Sequence, residues 1–167
     1  KQTVFGNVLS EASSAANGEW IAKMDDDDWY GKEHISDLLL AANYSDADLV
    51  GKGSEFVYLS EENLTMRRDL GDSEVESRTI GGGAMLIKTE IYREISGWRE
   101  ISRGVDVALI DDVVSTGGRV WRTHPFGYLL RRTKNQHTWK VDDKYFLRHA
   151  DQQWEGFDSE LVGVLDK

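Results

Sequence analysis

The stretch Glu19–Met24 alternates apolar and polar side chains as a strand does, and it runs directly into four consecutive aspartates, Asp25–Asp28, followed by Trp29, Tyr30 and Gly31. Four adjacent carboxylates repel one another, so a fold keeps them together only where water or a cation screens them. A buried strand would deliver them to the C-terminal edge of a sheet, where open α/β sheets bind ligands. Hard oxygen donors of this kind suit Mg²⁺, Mn²⁺ or Ca²⁺. On the run alone, a solvated acidic turn is an equally good reading. A calcium loop is a third: Asp26, Asp28 and Gly31 fall at its first, third and sixth positions, with Tyr30 a poor fifth ligand and Asp37 standing in at the twelfth.

The flanking segments alternate in type. Thr3–Ala16 carries Val4, Val8, Leu9, Ala12, Ala15 and Ala16 on one helical face and stops at Asn17-Gly18. A second helix is expected over Lys32–Asn43, with Ile35, Leu38, Leu39 and Ala42 inward. Ala47–Leu59 reads as extended, and Glu61–Ser77 as a hairpin and exposed loop. Gly81-Gly82-Gly83 precedes a short strand, Ala84–Lys88, and Thr89 is expected to cap a helix over Glu90–Ser96. Asp106–Thr116 forms another helix, with Leu109, Ile110, Val113 and Val114 inward and Gly117-Gly118 ending it. Strands follow over Arg119–Thr123 and Gly127–Thr133, then a helix at Asp142–His149. Strands alternating with helices make an α/β domain.

The bulk properties narrow the function. The chain has 167 residues, 40% of them hydrophobic, enough for one domain with a real core. It has no cysteine, which rules out disulfides and thiolate metal sites, and its apolar runs are too short to span a membrane. A net charge of −10 argues against a general nucleic-acid binder.

The stretch Ala15–Asp28, a helix end, Gly18-Glu19-Trp20-Ile21, a strand and then Asp25-Asp26-Asp27-Asp28, resembles the family-2 glycosyltransferases of the GT-A fold. The resemblance runs from about Gly6 to Trp139. It implies a three-layer α/β architecture, a mixed sheet flanked by helices, incomplete at the N-terminus because the family's usual nucleotide-binding βαβ half would precede Gly6. The expected organisation is a partial GT-A-like domain over residues 1–139, with a helical tail over 140–167 packed on it.

The resemblance also implies roles. Asp25 and Asp27 match the family's D-x-D aspartates, which hold the sugar-nucleotide diphosphate and a Mn²⁺ or Mg²⁺ ion, with Asp27 the direct metal ligand. Gly82 and Gly83 match the glycine loop beside the donor sugar, because glycine lets backbone approach a ligand closely. Ser96-Gly97-Trp98-Arg99-Glu100 through Asp106 is similar to the family's run leading to the general base. Asp106 is the matching carboxylate, although Val105 stands where the family often has Glu. Asp111 and Asp112 are substitutes on the same helix, and Asp106 also suits a helix N-cap. His137 is the first choice for a further metal ligand and His124 the alternative. Arg131 and Arg132, with Lys134, suit the diphosphate leaving group or, equally, a charged strand edge. Trp98 is the candidate for stacking on the acceptor.

The expected activity is metal-dependent, inverting transfer of a sugar from a nucleotide-diphospho-sugar to a saccharide or lipid-linked acceptor, in cell-envelope or polysaccharide synthesis. The expected setting is the cytoplasm, up to the inner face of the membrane, with no nucleic-acid partner and no transmembrane segment in this chain. A non-catalytic glycan- or partner-binding fragment is the alternative, and a calcium-binding acidic module the second.

Overall fold

The computed structural model describes residues 4–133 and 141–162. In chain order the elements are α1 (Phe5–Ser14), β1 (Trp20–Met24), β2 (Trp29–Tyr30), α2 (His34–Ser45), β3 (Leu49–Lys52), β4 (Phe56–Leu59), β5 (Leu64–Arg68), β6 (Val75–Glu76), β7 (Ala84–Lys88), α3 (Thr89–Glu94), α4 (Val105–Ser115), β8 (Val120–Thr123), β9 (Tyr128–Arg132), α5 (Asp143–Arg148), β10 (Ala150–Glu155) and α6 (Ser159–Val162).

The strands form two five-stranded mixed sheets. The first has the order β1-β7-β3-β8-β6, with β3 and β8 parallel and the other pairs antiparallel. Strand residues alternate between its two faces. Leu49, Met85 and Ile87 pack with Leu109, Ile110 and Val113 of α4, and with Phe5 and Leu9 of α1. Val50 and Leu86 face the other way, onto Leu38, Ala41 and Ala42 of α2. Helix, sheet and helix are therefore the three layers the resemblance implies. The second sheet, β10-β5-β4-β9-β2, buries Val57, Leu59 and Met66 against Phe146 of α5.

The two sheets share a seam. The chain crosses from the first to the second between β1 and β2 through Asp25–Asp28, between β3 and β4 through Gly53–Glu55, and between β8 and β9 through His124–Gly127. The parallel neighbours β3 and β8 continue into the parallel neighbours β4 and β9, so adjacent strands cross side by side.

Several expectations need correcting. The extended run Ala47–Leu59 is two strands in different sheets, broken where Gly53 and Ser54 leave the ladder. The region expected to be hairpin and exposed loop does form the β4–β5 hairpin, but Thr65, Met66 and Arg68 of β5 are buried. On α2, Ile35 and Leu39 are exposed and Ala41 is buried instead, because the inward stripe is shifted toward Leu38, Ala41 and Ala42. Thr89 does not cap α3; its hydroxyl donates to Gly18 O at 2.8 Å and ties the helix start to the approach to β1. Strand β10 falls in the tail expected to be helical and pairs antiparallel with β5. No helix among the described residues is long and apolar enough to cross a membrane.

Candidate active site

At the end of β1 the strand's alternation puts Ile21 and Lys23 inward, while Ala22 and Met24 are exposed. Lys23 is only 9% exposed, and a buried ammonium needs partners. It donates to Asp25 Oδ1 and to Gly82 O, both at 2.6 Å. Asp25 therefore enters the site already ion-paired.

The aspartates then divide. Asp26 and Asp27 are exposed, whereas Asp25 and Asp28 are half-buried. Asp28 Oδ2 accepts from Tyr128 Oη at 2.9 Å, and Asp28 Oδ1 from the Arg131 backbone N–H at 3.0 Å. Burial pushes the Asp28 carboxyl up to about 6, and the charges of Asp25 and Asp27 add to that push, against the two hydrogen bonds. Tyr30 and Tyr128 stack with centroids 5.6 Å apart and an interplanar angle of 26°. Burial holds both phenols well above their ordinary value, so both stay protonated donors.

The glycine loop is where these groups meet. A Cβ on Gly83 would lie 2.7 Å from Asp28 Oδ2, 2.9 Å from Asp25 Oδ2 and 3.0 Å from Tyr128 Oη. A Cβ on Gly82 would lie 2.6 Å from Asp106 Oδ2. The loop rests on the seam through Gly81 N–H, which donates to Lys52 O at 2.7 Å, and Tyr30 Oη donates to Gly83 O at 2.7 Å. Two adjacent glycines thus bring the acidic turn to one side and Asp106 to the other.

Asp106 lies in the first turn of α4, half-buried. It is not the N-cap: Gly104 occupies that position in the left-handed conformation, and no side chain caps the helix. Val105, where the resemblance leads one to expect Glu, is buried in the core, so the position facing the loop is held by Asp106. The substitutes on α4 are engaged elsewhere. Asp112 pairs with Arg99 at 2.5 Å and Asp111 with Arg78 at 3.6 Å.

The remaining site expectations fare differently. Trp98 is 6% exposed, donates from Nε1 to Ser13 Oγ at 3.0 Å and packs on Tyr92, so its ring belongs to the core beneath α1 and is not free to stack on an acceptor. Arg132 is buried over the Phe146 ring and donates to Val141 O at 3.1 Å, and its charge is within electrostatic reach of Asp143 and of Asp27 and Asp28 in the acidic turn. Arg131 is exposed beside the acidic turn, where its backbone holds Asp28. His124 sits against Asp37, with Nε2 3.7 Å from Oδ2, and tilts over Phe126. His137 and Lys134 lie outside the described residues. A calcium loop does not form: a strand precedes the aspartates, Asp28 is held by Tyr128 and Arg131, and Asp37 pairs with the buried Lys52 at 2.7 Å.

Among the described residues no three acidic or histidine side chains gather as a metal cage. Oxygen donors nevertheless remain at the turn, because Asp25 Oδ2 lies beside the space a Cβ would fill at Gly83 and Asp27 adds an exposed carboxylate. Such donors fit Mg²⁺ or Mn²⁺ when a ligand's phosphates complete the shell. Lys23, Tyr30 and Tyr128 were not anticipated. The one signal was a lysine on the same strand face as Ile21.

The family model described as glycosyl transferase family 2 matches residues 2–138. The chain belongs to glycosyl transferase family 2. No curated protein matches it. Among solved structures, S. aureus TarS 1-349 is similar with a TM-score of 0.57 and 14% identity over 77% of this chain and 40% of that one. The same TarS fragment in complex with UDP-GlcNAc has a TM-score of 0.62 and 16% identity over 87% of this chain and 44% of that one. The family-2 chain therefore spans less than half the length of these neighbours, and at this identity the likeness speaks for the fold, that of a GT-A glycosyltransferase.

Proposed function

We propose that this chain carries the catalytic site of an inverting glycosyltransferase that moves a sugar from a nucleotide-diphospho-sugar to an acceptor hydroxyl. The observation that carries the reading is the glycine loop, with Asp25 and Asp28 against Gly83 and Asp106 against Gly82. A donor laid along the loop would have its diphosphate over the acidic turn and its sugar beside Asp106. The family membership supports the same chemistry, and the UDP-GlcNAc complex of TarS makes UDP-sugars the first donors to test.

In this reading Asp27, with Asp25 and the described turn, would hold Mg²⁺ or Mn²⁺, and His137 is the further ligand proposed from the sequence. A bound divalent ion supplies Lewis-acid offset of the charge that grows on the diphosphate. Asp106 takes the proton of the acceptor hydroxyl. The acceptor oxygen bonds to the anomeric carbon as the bond from that carbon to the diphosphate oxygen breaks, and the diphosphate leaves with the electron pair and inverted configuration results. Arg131, exposed beside the turn, would meet leaving-group oxygens in this reading. A saccharide or lipid-linked acceptor of envelope polysaccharide, glycosylated on the cytoplasmic side, suits this chemistry.

The test is Asp106→Asn. The side chain keeps its shape beside Gly82, so folding and UDP binding are expected to persist. Transfer from UDP-sugars should fall roughly 10²–10⁴-fold, the usual worth of a general base. Transfer near the wild-type rate would remove Asp106 from this role.

A further inference from the structure

Asp25 is linked to the glycine loop twice, by different side chains and through different groups. Its carboxylate accepts from Lys23 Nζ at 2.6 Å, and the same ammonium donates to Gly82 O at 2.6 Å. Its backbone N–H donates to Tyr30 Oη at 2.7 Å, and the same hydroxyl donates to Gly83 O at 2.7 Å. Two successive loop carbonyls are therefore bound to the two ends of one aspartate. Lys23 lies on β1 and Tyr30 on β2, so the arms reach the loop from both sheets.

We propose that Lys23 and Tyr30 are the positioning residues of this site, a two-armed clamp that holds the acidic turn and the Gly82–Gly83 loop as one rigid unit before any ligand arrives. The clamp touches no reacting atom. It fixes the distance between the carboxylates that face Gly83 and the Asp106 carboxylate that faces Gly82. A buried charged donor reaching both a carboxylate and a carbonyl makes strong, directional bonds. Preorganisation of this kind lets a ligand bind without ordering the loop first. The Lys23 charge also offsets one of the four aspartates, which lowers the repulsion the turn carries when unloaded. The phenol supplies what an ammonium cannot, accepting from the Asp25 N–H while donating to Gly83 O.

The inference rests on the proposed donor site for its functional arm but not for its structural arm, and the experiment separates the two. Lys23→Met, Lys23→Arg and Tyr30→Phe are made in the full chain. Hydrogen exchange is followed by mass spectrometry in the unliganded proteins at the amides of Gly81 and Ala84, which donate to Lys52 O and Gly81 O. Loss of either arm is expected to speed exchange there by about tenfold or more, while amides of α2 keep their protection. Lys23→Arg should restore most of the protection. UDP with Mg²⁺ is then titrated into each variant, with affinity expected to fall about tenfold in Lys23→Met and Tyr30→Phe and to recover in Lys23→Arg. Unchanged loop exchange in both Lys23→Met and Tyr30→Phe overturns the clamp. Faster exchange in a chain whose wild type binds no UDP upholds the clamp and overturns the donor site instead. If exchange accelerates equally in α2, the residues serve global stability and the positioning role is refuted.

Discussion

Replacing Gly83 with alanine tests the site at its tightest point. The added Cβ would meet Asp28 Oδ2 at 2.7 Å, Asp25 Oδ2 at 2.9 Å and Tyr128 Oη at 3.0 Å, where ordinary contact begins at 3.4 Å. Restoring that contact asks each oxygen to retreat by about 0.4 to 0.7 Å, taking the differences from those distances. None is the loose end of a flexible chain. Asp28 is held at both oxygens, Asp25 is held by Lys23, and Tyr128 is fully buried. Forcing a methyl group into packed surroundings costs about 1–3 kcal/mol. Gly83 itself does not occupy the left-handed region, so the penalty is one of crowding and not of backbone strain. Urea unfolding should therefore show a loss of about 1–3 kcal/mol at unchanged slope. Titration of UDP with Mg²⁺ should show affinity falling by about tenfold or more, since both carboxylates move away from the loop. Gly82→Ala is the internal control. The three atoms nearest its Cβ all belong to Asp106, which is half-buried and stands apart from Asp25 and Asp28, so stability and UDP affinity should change less than in Gly83→Ala while transfer falls. A Gly83→Ala protein with wild-type stability and affinity would refute the idea that the carboxylates are held rigidly against this loop.

Three further outcomes are expected. Asp37→Ala leaves the ammonium of Lys52, whose side chain is fully buried, with Phe126 O at 2.5 Å but without its counter-ion; chemical denaturation should report a loss of about 3–5 kcal/mol. Lys52→Met, which removes the buried charge itself, should cost less than Asp37→Ala, and the reverse order in the same assay would contradict the desolvation argument. His34 is 2% exposed between Tyr30, Tyr128 and Lys52, with Asp37 nearby, and burial foremost, then the Lys52 charge, lowers its pKa to about 4. Because the unfolded state binds the proton more readily, stability should fall as pH drops from about 6.5 toward 4, by an amount on the order of 3 kcal/mol, and His34→Phe should flatten that part of the pH–stability curve.

Much of the first sheet and of α4 was legible because those elements carry one clean period, whereas Val8 of α1 and Ile35 and Leu39 of α2, expected on inward faces, are exposed. Ile21, Leu109, Ile110 and Val113 are core residues of the kind the patterns indicated. The acidic turn was legible because strand, carboxylates and helix come in order. Less legible was anything that depends on which sheet a strand joins. Nothing in the run Ala47–Leu59 says that Leu49 and Phe56 lie in different sheets, since both read as apolar and extended. Trp98 was misread because an aromatic beside glycines suits a binding site and a core equally well, and burial beneath α1 decides between them. The burial of Arg132 was illegible for a related reason: a guanidinium on a strand edge and one stacked over Phe146 have the same local sequence. Lys23 and Tyr30 escaped notice because their roles lie in partners some sixty and fifty residues away, at Gly82 and Gly83, which periodicity does not register.

The four aspartates are also the only covalent path between β1 of one sheet and β2 of the other. Trp29 and Tyr30 are in register with Leu129 and Tyr128, while Met24 is in register with Ala84. The length of the run is therefore fixed from both ends. One residue more or fewer must either reshape the turn, which moves Asp28 off Tyr128 and Arg131, or slip β2 along β9, which drives Tyr30 off Gly83. Substitution within the run disturbs least at Asp26, which is exposed, whereas insertion or deletion disturbs the contacts of Asp25, Asp28 and Tyr30 together. Among natural variants of this domain the spacing between the two strands should vary far less than the residues that fill it.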